Sequence, residues 1–181
     1  MSNLPEERIS RFLSLVLRHE PATANVSMDH NGWVRVDLLL KGLNAKGYVV
    51  TREILDNVVA TNNKKRFEYS EDNKSIRASQ GHSVNIDLGY KPETPPDTLY
   101  HGTTYRFIHL IKQTGLAKQK RHAVHLSLDA DTAINVGSRH GKPCILIINA
   151  KQMAEDGFKF YKSANGVWLV DSVPMKYIAF Q

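Results

Sequence analysis

Two spacings of apolar residues divide the chain. In its first half they recur every three or four positions, and in its second half they gather into short runs. Ile9, Phe12, Leu13, Val16 and Leu17 line one face of a helix whose opening turn holds Pro5 and two glutamates. The stretch "RFLSLVLRHEP" closes this helix with Arg18 and His19, just before Pro21 stops it. On a helical wheel Arg18 falls opposite the apolar face and His19 on its flank. "DHNGWVRV" predicts a turn leading into a short strand. Asp37 is expected to cap a helix through "LLLKGLNAKG" that ends at Gly47. Thr51 is expected to cap another, with Ile54, Leu55, Val58 and Val59 on one side. "RFEYSEDNKSIRAS" then reads as strand, turn, strand.

Helix, short strand, helix, helix, hairpin is the order of a winged helix. The third helix, "TREILDNVVATNN", is a poor fit to a DNA major groove, because its one arginine is offset by Glu53 and Asp56. "LGYKPETPPDTL" carries three of the seven prolines and no apolar periodicity, so it reads as a linker. Beyond it, "LYHG", "AVHLSL", "PCILIIN" and "MKYIAF" read as strands. "TTYRFIHLIKQTG" and "DADTAINVGSRHG" read as helices, the second capped by Asp129 or Asp131, and "FKFYKSANGVWLV" as a hairpin around Asn165-Gly166. The expected class is α+β: an N-terminal lobe over 1–87, a linker over 88–98 and a mixed α/β lobe over 99–181.

Charge sharpens the picture. Residues 1–90 carry 12 basic and 11 acidic side chains, and residues 91–181 carry 12 and 7, so most of the net +6 lies in the second lobe. That suits an anionic partner. No apolar run is long enough to span a membrane and no signal-peptide layout opens the chain, so a cytoplasmic protein is expected. Cys144, the single cysteine, lies in an apolar run and excludes disulfides or cysteine zinc sites within the chain.

Familiar chemistry is scarce. There is no G-x-G-x-x-G, Walker sequence or G-x-S-x-G elbow. His122 and His125 point to opposite faces of a strand and are not expected to share a metal. What remains are arginines and histidines at segment ends: Arg18-His19, Arg66 after Lys64-Lys65, and Arg121-His122. Each alone reads as a surface charge, whereas several guanidinium groups converging on one point would trap phosphate.

"FLSLVLRHEP", "NGWVRVDLLL", "KKRFEYS", "IRASQGHS", "LYHGTTYRF", "GL" followed by "RHAVHLS", and "NGVWLV" stand in this order over residues 8 to 180. Together they resemble the KptA-type RNA 2′-phosphotransferase family, with Ala123 at a variable position. The resemblance implies a winged-helix RNA-binding lobe and an ADP-ribosyltransferase-like, NAD-binding lobe. It implies an enzyme, associated with tRNA splicing, that removes an internal RNA 2′-phosphate with NAD+ as co-substrate and without metal. The expected products are RNA 2′-OH, nicotinamide and ADP-ribose 1″,2″-cyclic phosphate. The partner is RNA carrying an internal 2′-phosphate, with no membrane, and a monomer is expected.

Carried over motif by motif, the resemblance implies Arg18, His19, Arg66 and Arg121 as catalytic residues. It implies NAD contacts at His101, Gly102, Thr103 and Ser127, and at Asp131, Val136, Gly137 and Arg139 in the helix that follows. A 2′-phosphate is already an anion and needs no general base to attack C1″ of the nicotinamide ribose. A glutamate on the late strand, common in related transferases, would repel it, and "NGVWLV" is apolar there. A non-catalytic nucleic-acid binder would instead release no nicotinamide, and a transferase acting on nucleic-acid termini or protein would leave a stable ADP-ribosyl adduct.

Overall fold

A computed structural model describes residues 6–181 and divides into two compact units, Met1–Gly89 and Tyr90–Gln181. Pro5 lies outside the described residues. In the first unit, helix α1 (Glu6–Arg18) buries Ile9, Leu13, Val16 and Leu17, the stripe that the 3.6-residue period dictates. Strand β1 (Val34–Arg35) leads into α2 (Val36–Ala45) and α3 (Arg52–Ala60), followed by β2 (Phe67–Tyr69) and β3 (Ser75–Ala78).

The three strands form an antiparallel sheet in the order β1-β3-β2, with Val34 opposite Ile76 and Phe67 opposite Ala78. Leu39, Leu43, Leu55 and Val58 from the helices meet Phe67 and Ile76 in one core. Each such side chain contributes on the order of 1.5–3 kcal/mol by leaving water.

Thr51 caps α3 by accepting the Ile54 N–H, as its position predicts. Asp37 does not cap α2. The N-cap is Arg35, and Asp37 lies inside the first turn, where its carboxylate binds the Arg35 guanidinium at 3.0 and 2.6 Å. There it still faces the positive end of the helix.

The second unit is built from antiparallel pairs throughout. Strands β4 (Pro92–Glu93), β7 (Val124–Leu126), β9 (Phe160–Lys162) and β10 (Trp168–Val170) run in the order β4-β9-β10-β7. Strands β5 (Thr98–Thr104), β8 (Pro143–Asn149) and β12 (Ile178–Phe180) run β12-β8-β5. A reciprocal pair of bonds between Tyr100 and Ser127 joins β5 to the end of β7. Strands β6 (Leu116–Ala117) and β11 (Ser172–Val173) pair separately. Helices α4 (Ile108–Thr114), α5 (Ala130–Gly137) and α6 (Ala150–Glu155) complete the unit. Its core gathers Leu99, Leu126, Leu146, Ile148, Met153, Phe160 and Val170.

Three details of this unit go beyond the local pattern. The proline-rich segment contributes β4, which pairs with Phe160 and Tyr161 at the sheet edge, where proline's missing N–H does no harm. Thr103 and Thr104 extend β5, and residues 105–107 form a 3-10 turn, so the helix that ends at Gly115 begins only at Ile108. "PCILIIN" alternates: Cys144, Leu146 and Ile148 are buried while Ile145 and Ile147 are half-buried. Among the described residues no helix is long and apolar enough to cross a membrane.

Candidate functional site

In the first unit one short segment, residues 79–84, bonds at its two ends to parts of the chain that are far apart in sequence. Helix α1 ends at Arg18, and its last carbonyls lack helical partners. The Arg18 carbonyl accepts the Ser83 N–H at 2.9 Å and the Val84 N–H at 3.4 Å. His19 Nδ1 and Ser83 Oγ lie 2.9 Å apart. Gly81 has φ +88°, and a Cβ there would lie 3.6 Å from Arg18 Cζ, so the half-buried Arg18 side chain runs over the glycine. The wheel had placed Arg18 on the open face, but this segment covers it.

At its other end the segment holds Arg66. The Arg66 carbonyl accepts the Ser79 N–H at 2.9 Å, and the Lys65 carbonyl accepts the Ser79 hydroxyl at 3.1 Å. The Arg66 N–H and Nη1 both donate to Asn62 Oδ1, at 3.3 and 3.4 Å. Asn62 in turn donates to Ser10 Oγ on α1 at 3.1 Å. The segment therefore ties Arg18, His19 and Arg66 into one polar network. Asn62, Ser79, Gly81 and Ser83 were not among the sequence-derived site residues. The polar run "SQGHS" directly after a buried strand is the signal that would have pointed to them.

The second unit carries its own cluster on β5. His101 Nδ1 donates to the His125 carbonyl at 2.9 Å, since a carbonyl only accepts. Burial is the chief reason that the His101 pKa lies below the usual histidine range. The His125 bond opposes this, and the nearby Arg121 charge adds to it. A neutral ring protonated at Nδ1 presents a lone pair at Nε2. Arg121, which is exposed in the bend before β7, reaches His125 Nδ1 at 3.5 Å, and the His125 carbonyl in turn meets His101 on β5.

Gly102 faces α5. A Cβ on it would land on the Ala133 carbonyl, and a Cβ on Gly137 would come within 2.7 Å of the Thr103 carbonyl. Both glycines are thus required for helix and strand to touch backbone to backbone. Thr103 is buried beside Cys144 across the sheet, and Ser127 is half-buried with its backbone tied to Tyr100. Asp131, Val136 and Arg139 are exposed on or just beyond α5, whose cap is Asp129. Burial raises the Cys144 thiol pKa.

Trp168 of the apolar "NGVWLV" lies opposite Leu126, and its indole Nε1 is buried with no hydrogen-bond partner among the described residues. A dry donor of this kind is costly unless something accepts from it. This unit thus holds a desolvated imidazole, a buried indole donor and an exposed guanidinium. Among the described residues no three histidine, cysteine, aspartate or glutamate side chains gather as a metal-ligand group.

The chain belongs to the RNA 2′-phosphotransferase, Tpt1 / KptA family, whose family model matches residues 5–172. It is 52% identical over 172 residues to a protein of Rhodopirellula baltica named "Probable RNA 2′-phosphotransferase", covering 94% of each chain. Proteins of the same name from Flavobacterium johnsoniae and Hahella chejuensis are each 50% identical. The first match covers 96% of this chain and 95% of its relative, and the second 94% and 91%.

Proposed function

We propose that this protein removes an internal 2′-phosphate from RNA with NAD+ as co-substrate, giving RNA 2′-OH, nicotinamide and ADP-ribose 1″,2″-cyclic phosphate. The observation that carries this reading is the segment 79–84, which holds Arg18, His19 and Arg66 in one network. On this reading the first unit is a winged-helix RNA-binding lobe and the second an ADP-ribosyltransferase-like lobe. NAD+, when bound, supplies an electrophilic ribose carbon, C1″, with nicotinamide as leaving group.

Arg18, Arg66 and Arg121 are the catalytic arginines on this reading, since planar guanidinium donors suit phosphate oxygens and the charge that builds on them during transfer. Held by Ser83 through Nδ1, His19 is on this reading the group that meets the phosphate and moves a proton to the departing RNA 2′-oxygen. Ser83 can donate or accept, so it holds the ring in either protonation state. His101 accepts from a ribose hydroxyl through Nε2. Thr103, Ser127 and, on α5 and just beyond it, Asp131, Val136, Gly137 and Arg139 complete the NAD-binding side, with Gly102 setting the helix against the strand.

Strand β10 brings three buried apolar side chains, Trp168, Leu169 and Val170, and no carboxylate to repel a phosphate nucleophile. Incubation with NAD+ and an RNA bearing one internal 2′-phosphate, in the presence of a chelator, tests the proposal. Equal amounts of nicotinamide and ADP-ribose cyclic phosphate are expected by mass. Inorganic phosphate, or a stable ADP-ribosyl adduct on the RNA, would overturn it.

A further inference from the structure

Where β5 ends, the chain turns outward and exposes two aromatic rings in three residues. Tyr105 is 54% and Phe107 41% exposed, and Leu110, one turn on along α4, is 49% exposed. No structural need explains them, since the core beneath is filled by Ile111 and its neighbours. Apolar groups exposed side by side mark contact surfaces.

The charges around the rings indicate what the surface contacts. Arg106 lies over the Phe107 ring, its Cζ 4.6 Å from the centroid, and Lys142 Nζ lies 5.1 Å from the Tyr105 centroid. The Tyr105 N–H also donates to the Lys142 carbonyl at 3.4 Å, which ties the turn to the start of β8. The chain holds no aspartate or glutamate from Thr98 to Leu128 or from Thr132 to Ala154, the two stretches that supply this surface. Aromatic rings backed by cations and free of carboxylates suit a polyanion with flat faces. Protein interfaces are depleted of lysine, whereas here Lys142 lies against the Tyr105 ring.

We propose that Tyr105 and Phe107, with Arg106 and Lys142, form a stacking platform for unpaired bases of the RNA that flanks the 2′-phosphate. This rests on the reading of the protein as an RNA-modifying enzyme and adds where the substrate's flanks are held. Bases stack on the rings, while the two cations meet the neighbouring backbone phosphates. Such contacts are indifferent to sequence, because every base has a flat face. The platform therefore sets a preference for length and single-strandedness, not for particular nucleotides.

The test compares a 2′-phosphorylated dinucleotide with a single-stranded RNA of about a dozen nucleotides, within the range of known single-strand site sizes. The double variant Tyr105→Ala/Phe107→Ala should raise KM for the longer RNA by about tenfold or more, as expected from losing at least one stacked base. Its kcat, its KM for the dinucleotide and its KM for NAD+ should stay at wild-type values. Tyr105→Leu/Phe107→Leu keeps apolar bulk without the rings and should show the same loss with an unchanged melt. Arg106→Gln/Lys142→Gln should flatten the salt dependence of binding to the longer RNA.

Binding of the same RNA without its 2′-phosphate, followed by fluorescence anisotropy, reads the platform independently of turnover. A wild-type protein that binds this RNA but turns over neither substrate would count against the proposed function alone. Unchanged affinity for the longer RNA in both ring variants would overturn the platform, and would leave the rings to some other partner, such as a protein.

Discussion

At Arg18 two roles compete. A cation at a helix C-terminus complements the dipole, and that role asks only for charge. A grip on phosphate asks for a planar fork with parallel donors. The structure runs the Arg18 side chain over Gly81 and binds its carbonyl to Ser83 and Val84, which is more fixing than a dipole partner needs. If Arg18 grips phosphate, Arg18→Ala should lose at least ~100-fold in turnover while staying folded. Arg18→Lys should recover only part of that loss. If it serves the dipole alone, Lys would be harmless and Ala would cost about 0.3–1 kcal/mol of stability with little loss of rate. Single-turnover dephosphorylation beside a thermal melt separates the two. Arg18 stood out in the sequence because it closes an apolar helix next to His19. Its partner Gly81 did not, since a lone glycine after a strand is ordinary until its φ and its neighbour are known.

The contact between β5 and α5 is where element packing and ligand binding meet. "HGT" stands in the resemblance as an NAD-contact motif, and in the structure the side of Gly102 where a Cβ would lie is filled by the Ala133 carbonyl. Gly102 thus lets α5 come close to β5, and on the proposed reading that also sets the NAD-binding side. Gly102→Ala should push α5 away from the strand at a cost of ~1–3 kcal/mol, typical of overpacking. A melting temperature several degrees lower, together with a raised KM for NAD+, is the expected outcome. An unchanged melt and an unchanged KM would show that the helix has room to spare. The same strand holds His101 neutral by burial, and only pairing it with the His125 carbonyl fixes which nitrogen carries the proton.

Over the whole molecule the net charge of +6 acts beyond any single contact. An extended RNA engages several cations and releases counterions from each, whereas NAD+ has only two phosphates to neutralise. KM for a longer RNA should therefore climb steeply between about 50 and 200 mM salt, with a log–log slope near 0.7 for each phosphate contacted. KM for NAD+ should change much less over the same range. Equal slopes for the two substrates would mean that the basic excess of residues 91–181 takes no part in binding RNA.

Helical and strand periods are local, so α1, α3, β2, β3, β8 and the hairpin of β9 and β10 were legible from the order of apolar residues alone. So was the Thr51 cap, since a cap needs only one side chain and the next turn. The arginine, histidine and "HGT" positions stand out in the sequence because they break those patterns at segment ends or stand in an ordered set of motifs. Tertiary structure decided the rest. Asp37 turned to Arg35 because a neighbouring guanidinium competed for its carboxylate. The proline-rich stretch became an edge strand because β9 offered it a partner. The network around residues 79–84 and the backbone contact of Gly102 with Ala133 depend on atoms brought together across some 13 to 66 residues of chain. No local pattern encodes such distances. They exist only once two cores have formed and fixed where each segment ends.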